Sequence, residues 1–146
     1  MTSARARPSE VDRLIADLES SDPIRRDASA ARLRVLGARA LPRLARFIES
    51  SDAPGARALA LSALEGVDDA HAPEIALTVL NEPDVGIVVA ALAVLRSWVT
   101  RETGTRLLES ITAIAVDRTR NARVRVAALD ALSELPDDLV KPVRDQ

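Results

Sequence analysis

His71 is the only histidine of the chain, and it stands among carboxylates in the run Val67-Asp68-Asp69-Ala70-His71-Ala72-Pro73-Glu74. Imidazole and carboxylate are both ligands for a divalent cation, so this is the one segment whose residue types could hold a metal. The same residues suit the start of a helix, where acidic side chains favour the positive end of the dipole and accept from free N–H groups. That reading leaves His71 an exposed loop residue, with no metal site and no cofactor expected. A serine nucleophile would need His71 beside a serine and an acid, and there is no Gly-x-Ser-x-Gly elbow. Walker-type and Gly-x-Gly-x-x-Gly phosphate loops are also absent. The lack of cysteine removes thiolate nucleophiles, disulfides and cysteine-based metal sites. The adjacent pair Asp137-Asp138 falls at an expected helix end, a solvated capping position. No catalytic residue is assigned, and the chain is expected not to be an enzyme.

Arginine could instead do electrostatic work. It clusters at Arg5 to Arg7, at Arg25-Arg26 with Arg32 and Arg34, at Arg39 to Arg46, and at Arg118 to Arg125. Phosphate contacts are the chemistry such clusters offer. Asp12, Asp17, Asp22 and Asp27 interleave with the first of them, and the formal net charge is −2, so ordinary solvated faces are expected and nucleic acid is not the expected partner. Lys141 is the only lysine, a bias that fits a GC-rich genome better than a chosen chemistry.

The elements that must carry these residues are helices. Hydrophobic residues make up 47% of the chain but aromatic ones only 1%, so aliphatic side chains and alanine must fill the interior. Alanine and leucine lose little side-chain freedom in a helix, which makes helix the default. A length of 146 residues predicts a single folded unit over 1–146. No stretch approaches the roughly 18 apolar residues of a membrane span, and the start leads into Ser9-Glu10-Val11-Asp12 rather than the apolar core of a signal peptide. A cytoplasmic protein without membrane contact is expected.

Val11, Leu14, Ile15 and Leu18 have the spacing of one helical face, with Ser9 as N-cap. Asp22-Pro23 opens the next helix, which runs to Gly37 with Ile24, Ala28, Ala31 and Val35 or Leu36 facing inward. Leu41, Leu44, Ala45 and Ile48 repeat the first pattern, Pro42 lying in the opening turn. Ala56, Ala60, Ala63, Leu64 and Val67 mark a fourth helix. Ile75, Ala76, Val79 and Leu80 mark a fifth, and Val85 to Val99 a strongly apolar sixth. A longer connection over Thr100 to Thr105 precedes Leu107, Ile111, Ile114 and Ala115, then Val124, Ala128, Ala131, Leu132 and Leu135. The tail 136–146 is polar.

Within the second helix of each pair one pattern recurs: arginine, alanine three residues on, alanine three further, then leucine. It reads Arg57, Ala60, Ala63, Leu64; Val88, Ala91, Val94, Leu95; and Arg125, Ala128, Ala131, Leu132. The first copy, Arg25, Ala28, Ala31, has Arg32 in the leucine place and Leu33 one place late. Anchors 32, 31 and 37 residues apart are the period of a solenoid. Trp98 takes the place of a leucine near the end of such a helix, which favours packing over a base-stacking platform.

Asp-Pro-Ile-Arg-Arg at 22–26, Ala-Arg-Ala-Leu-Ala-Leu-Ser-Ala-Leu at 56–64 and Val-Arg-Val-Ala-Ala-Leu-Asp-Ala-Leu at 124–132 resemble the HEAT repeat family, in particular the short bacterial HEAT-like repeats of the phycobilin-lyase type. The early prolines Pro42 and Pro73 are similar to that family too. The resemblance implies an all-α solenoid of about four helix-turn-helix repeats, over 9–37, 38–66, 68–99 and 101–135. It implies that Arg25, Arg57 and Arg125 join a structural ladder of bonds to acidic residues at neighbouring turns, Val88 departing from it. It also implies that second helices line a concave face. The positions then pointing into the groove are Arg26, Asp27 and Ala30; Ala58, Leu59 and Ser62; Val89, Ala90 and Ala93; and Val126, Ala127 and Asp130. This groove is polar at its first repeat and apolar through its middle. An exposed apolar strip is the mark of a contact site, so the expected function is a scaffold for another protein, with self-association as an alternative use of the same face. The resemblance admits two further readings, a subunit of a phycobilin-lyase-like enzyme complex and a binder of nucleic-acid backbone.

Overall fold

The computed structural model describes residues 9–101 and 105–135, and every regular element among them is helical. The eight α-helices are α1 (Glu10–Asp17), α2 (Pro23–Leu36), α3 (Leu41–Ser50), α4 (Pro54–Ser62), α5 (His71–Thr78), α6 (Val85–Arg96), α7 (Thr105–Val116) and α8 (Ala122–Leu132), with a single 3₁₀ turn at Gly37–Arg39. The 100–105 connection lies partly outside the described residues. Arg5 to Arg7, Asp137-Asp138 and the tail 136–146 lie wholly outside them.

Polar side chains set the helix starts. Ser9 accepts from Asp12 N while Asp12 accepts from Ser9 N, a reciprocal cap that satisfies two free donors of α1. Asp22, Asp84 and Asn121 cap α2, α6 and α8 by accepting from Ile24 N, Ile87 N and Arg123 N at 3.0, 3.0 and 2.8 Å. Pro23, Pro42 and Pro54 all fall in first turns, where the missing N–H costs nothing. Gly37 ends α2 and Gly66 ends the turn after α4 with φ of 58° and 78°, a conformation that a Cβ disfavours.

The helices form two layers. Consecutive helices pair as α1 with α2, α3 with α4, α5 with α6 and α7 with α8. The first members touch in the order α1, α3, α5, and the second members in the order α2, α4, α6, α8. Ala60, Ala63, Ala91, Ala128 and Ala131 are all buried, and such small side chains let the second helices approach closely. Leu61, Leu64, Leu92, Leu95, Ile111 and Leu132 supply the bulk of the core between the layers.

One sequence expectation is reversed in α2. Ile24 and Val35 are 80% and 74% exposed, and Ala28 and Ala31 are exposed as well, whereas Ser29, Ala30 and Leu33 are the buried residues. The stripe Ile24, Ala28, Ala31 and Val35 therefore points away from the core, while Leu36, the alternative to Val35, is half-buried against it. The register explains why. Placing Arg26 rather than Arg25 over Arg57 makes the first two anchor spacings equal at 31 residues and puts Leu33 in its proper place over Leu64. Ser29 then occupies the first alanine position, and a buried serine there conceals the pattern from a reading that looks only for alanine.

Candidate functional site

The arginines of the second layer close the ends of the first. The last carbonyls of any helix lack partners inside it, and they carry the negative end of the dipole. Near the C-terminal end of each first helix a guanidinium donates to a carbonyl, in the last turn of α3 and α7 and just past the end of α1 and α5. Arg26 Nη1 reaches Ser20 O at 2.8 Å beyond α1, and Arg57 Nε reaches Ile48 O at 2.6 Å in α3. Arg125 Nε lies 3.5 Å from Ala115 O in α7. Arg57 also donates from both Nη atoms to the two Glu82 oxygens, at 2.6 and 2.7 Å, so its fork joins α3 to the turn after α5. The Glu82 carboxylate raises the guanidinium pKa above the usual arginine range.

One ladder assignment needs correction, and of the other two only Arg57 bonds an acidic residue, Arg125 meeting a backbone carbonyl. Arg25 is exposed, and it is the neighbouring Arg26, expected in the groove, that makes the bond. One helical step of 100° separates them, so the register shift described above moves Arg25 off the buried edge of α2. The third rung, missing because Val88 is buried as an apolar residue, is supplied from elsewhere: Arg120 Nη2 donates to Leu80 O at 2.7 Å from the turn before α8. Arg26→Ala is accordingly expected to cost about 1–2 kcal/mol, and Arg25→Ala less than about 0.5 kcal/mol. Equal melting temperatures for the two variants would contradict the corrected register.

Among the predicted groove residues Ala58, Leu59, Ser62, Val89 and Ala93 are half-buried, and Val126 and Asp130 are exposed. Val89, Val126 and Asp130 come together in one shallow depression between α6 and α8. Ala93 lies in another beside Glu65, Arg96 and Glu134. Arg96 bridges to Glu134, and Arg34 reaches both Ser62 O and Glu65, so a charged border runs along the C-terminal ends of the second helices. Helix α6 is not buried all round, since Val89, Ala90 and Ala93 keep partial exposure. Arg26 is not a groove residue. With the corrected register the first-repeat members of this face are Asp27, Ala28 and Ala31, all exposed, while Ala30 is buried.

His71 is exposed and paired with Asp69, whose Oδ1 meets both the His71 backbone N and Nδ1, at 2.9 and 2.8 Å. Asp69 thus acts as a cap at the start of α5, and Asp68 pairs instead with Arg101 at 2.7 Å. Among the described residues no three His, Cys, Asp or Glu side chains are grouped so as to hold a metal ion. Trp98 is 6% exposed, with the Arg101 guanidinium 4.1 Å above its ring centroid. Several cluster arginines are occupied by acids: Arg32 by Glu10, Arg34 by Glu65 and Arg43 by Asp12.

Among the described residues four surface carboxyls have lowered pKa values. Asp12 is held down first by the Ser9 side chain, Glu10 by Arg32, Asp69 by the His71 backbone N–H, and Asp117 by the Thr119 hydroxyl. Groups that bind protons less readily when folded contribute stability that is complete above the ordinary carboxylate range and is lost as pH falls through their lowered values. The melting temperature is therefore expected to drop between about pH 5 and pH 2, less steeply in an Asp12→Asn/Asp117→Asn variant. A wild-type profile flat across that window would refute the assignment.

One feature of the surface had no forecast in the sequence. A cleft of about 850 Å³ opens along α3 and α5, lined by Leu41, Ala45 and Ile48 on one side and by Ile75 and Val79 on the other, with Ala45 and Ile75 half-buried and the other three buried. The spacing predicts Leu41, Ala45 and Ile48 as core, and of these Leu41 and Ile48 are buried while Ala45 is half-buried where the cleft opens.

No protein-family model matches the sequence, and no curated protein matches it. Among the described residues no helix is long and apolar enough to cross a membrane.

Proposed function

We propose that the chain is a HEAT-type solenoid of four helix pairs, non-enzymatic and cytoplasmic, that binds another protein along the outward face of its second helices. One observation carries this reading. Among the described residues the large hydrophobic side chains most exposed to solvent are Ile24, Val35 and Val126, at 80%, 74% and 54%, and all three belong to this face. At 100° per residue Ile24, Ala28, Ala31 and Val35 fall within an arc of about 60°, opposite the buried Ser29, Ala30 and Leu33. The corrected repeat places Ala28 and Ala31 in line with Leu59 and Ser62 of α4, Ala90 and Ala93 of α6, and Ala127 and Asp130 of α8. An apolar strip of this length with a charged border has the anatomy of a contact site for an amphipathic segment.

Ile24→Glu, Val89→Glu and Val126→Glu place a charge that must be desolvated when an apolar segment binds. Each is expected to fold normally and to weaken capture of the partner about tenfold or more. Unfolding of all three would make the strip core. Capture unchanged from wild type would place the binding face elsewhere. A wild-type dimer that these variants dissolve, seen by sedimentation, would replace the partner with a second copy.

A further inference from the structure

The cleft between α3 and α5 is on the other layer from that face and has its own chemistry. Its two walls run side by side, because Arg57 gathers Ile48 O near the end of α3 and Glu82 just past the end of α5 at one point. Each wall presents one helical face: Leu41, Ala45 and Ile48 are spaced i, i+4, i+7, and Glu74, Ile75 and Val79 share the facing side of α5. Leu41 to Glu49 is eight residues, about 12 Å of trough. An apolar trough of that length between two helices matches the ridge of a third helix over two turns.

Charge selects among helices. The lining holds four carboxylates, those of Glu49, Asp69, Glu74 and Glu82, against the single guanidinium of Arg57. Glu82 is consumed by Arg57, and Asp69 by His71. Glu49, near the Arg57 end, makes no ion pair with any described residue, and Glu74, near the His71 end, has only Arg106 at 3.7 Å with both side chains mostly exposed. The two ends of the apolar floor thus each offer a carboxylate with capacity to spare.

We propose that this cleft docks an amphipathic helix of another protein, with aliphatic residues at i, i+4 and i+7 and a lysine or arginine flanking each end of that ridge. The aliphatic side chains enter over Ala45 and Ile75, and the flanking cations meet Glu49 and Glu74. Opposite charges at both ends fix the register along the trough, a contribution to specificity and association rate more than to affinity.

The test is selection from a phage-displayed library of a helical peptide of about 18 residues, randomised along one face, against the whole chain. The expected result is enrichment of an aliphatic i, i+4, i+7 ridge with basic flanks. Binding of the selected peptides should fall about tenfold or more in Glu49→Lys, in Glu74→Lys and in Ala45→Arg, and should weaken as salt rises. It should be unchanged in Ile24→Glu and Val126→Glu, which separates this cleft from the second-helix face. Glu49 and Glu74 are exposed, so their variants are expected to melt as wild type does. Enrichment of acidic or uncharged flanks, no enrichment at all, or binding that survives both glutamate reversals would overturn the proposal. So would a self-association that Ala45→Arg abolishes, which would make the occupant a second copy.

Discussion

Arg57→Ala is expected to lower the unfolding free energy by about 1.5–3 kcal/mol, the range for hydrogen bonds to charged groups. The Arg57 side chain is 15% exposed and donates three bonds, one to Ile48 O and two to Glu82, so its removal strands a helix-end carbonyl and a carboxylate together. Glu82 is 30% exposed and can recover water, which keeps the cost below that of a stranded charge in a dry interior. Arg57→Lys keeps the charge but not the planar fork, and should fall between the wild type and alanine. Arg57→Met/Glu82→Met removes both partners at once and should cost less than the two single changes added together. Urea unfolding of wild type, Arg57→Met, Glu82→Met and the double variant measures this, and strict additivity in the cycle would show that the pair is not coupled. Arg120→Ala should behave as a weaker version, because Arg120 makes one such bond to Leu80 O.

How far the sequence could be read depended on whether a helix had one apolar face or two. In α3 and α7 a single apolar stripe exists, so periodicity and burial largely coincide: Leu41, Leu44 and Ile48, then Leu107, Ile111 and Ile114, are buried as their spacing implies. Helix α2 has two candidate faces. Ile24, Ala28, Ala31 and Val35 form the better stripe by composition, yet the core takes Ser29, Ala30 and Leu33, because packing against α1 and α4 decides which face is covered. Periodicity reports that a stripe exists and is silent on whether core or solvent meets it. The same limit hid the cleft. Ala45 shares the stripe of Leu41 and Ile48 yet is half-buried, because how α5 packs against α3 is a tertiary matter that no local pattern encodes. Arg120 was invisible for a related reason, since it acts on a carbonyl 40 residues away.

Leu92→Ala is expected to have the largest effect of any single change considered, about 2–5 kcal/mol, the range for leucine to alanine in a packed core. Leu92 is 1% exposed in α6, the helix that packs against α4, α5 and α8. Contacts on three sides leave little freedom for neighbours to collapse into the vacated space, which places the cost toward the upper half of that range. Val89, one turn earlier on the same helix but half-buried on its outward side, provides the internal control: Val89→Ala should cost less than about 1 kcal/mol. Against a typical domain stability of about 5–15 kcal/mol, the Leu92 loss would leave a folded but visibly weakened chain. Urea unfolding should show a lower midpoint with an unchanged slope, since α6 joins the α4 and α8 sides into one cooperative unit. A shallower slope or a second transition would mean that α6 holds the two sides together through Leu92 itself, and equal costs for Leu92→Ala and Val89→Ala would contradict the division of α6 into a packed and an open side.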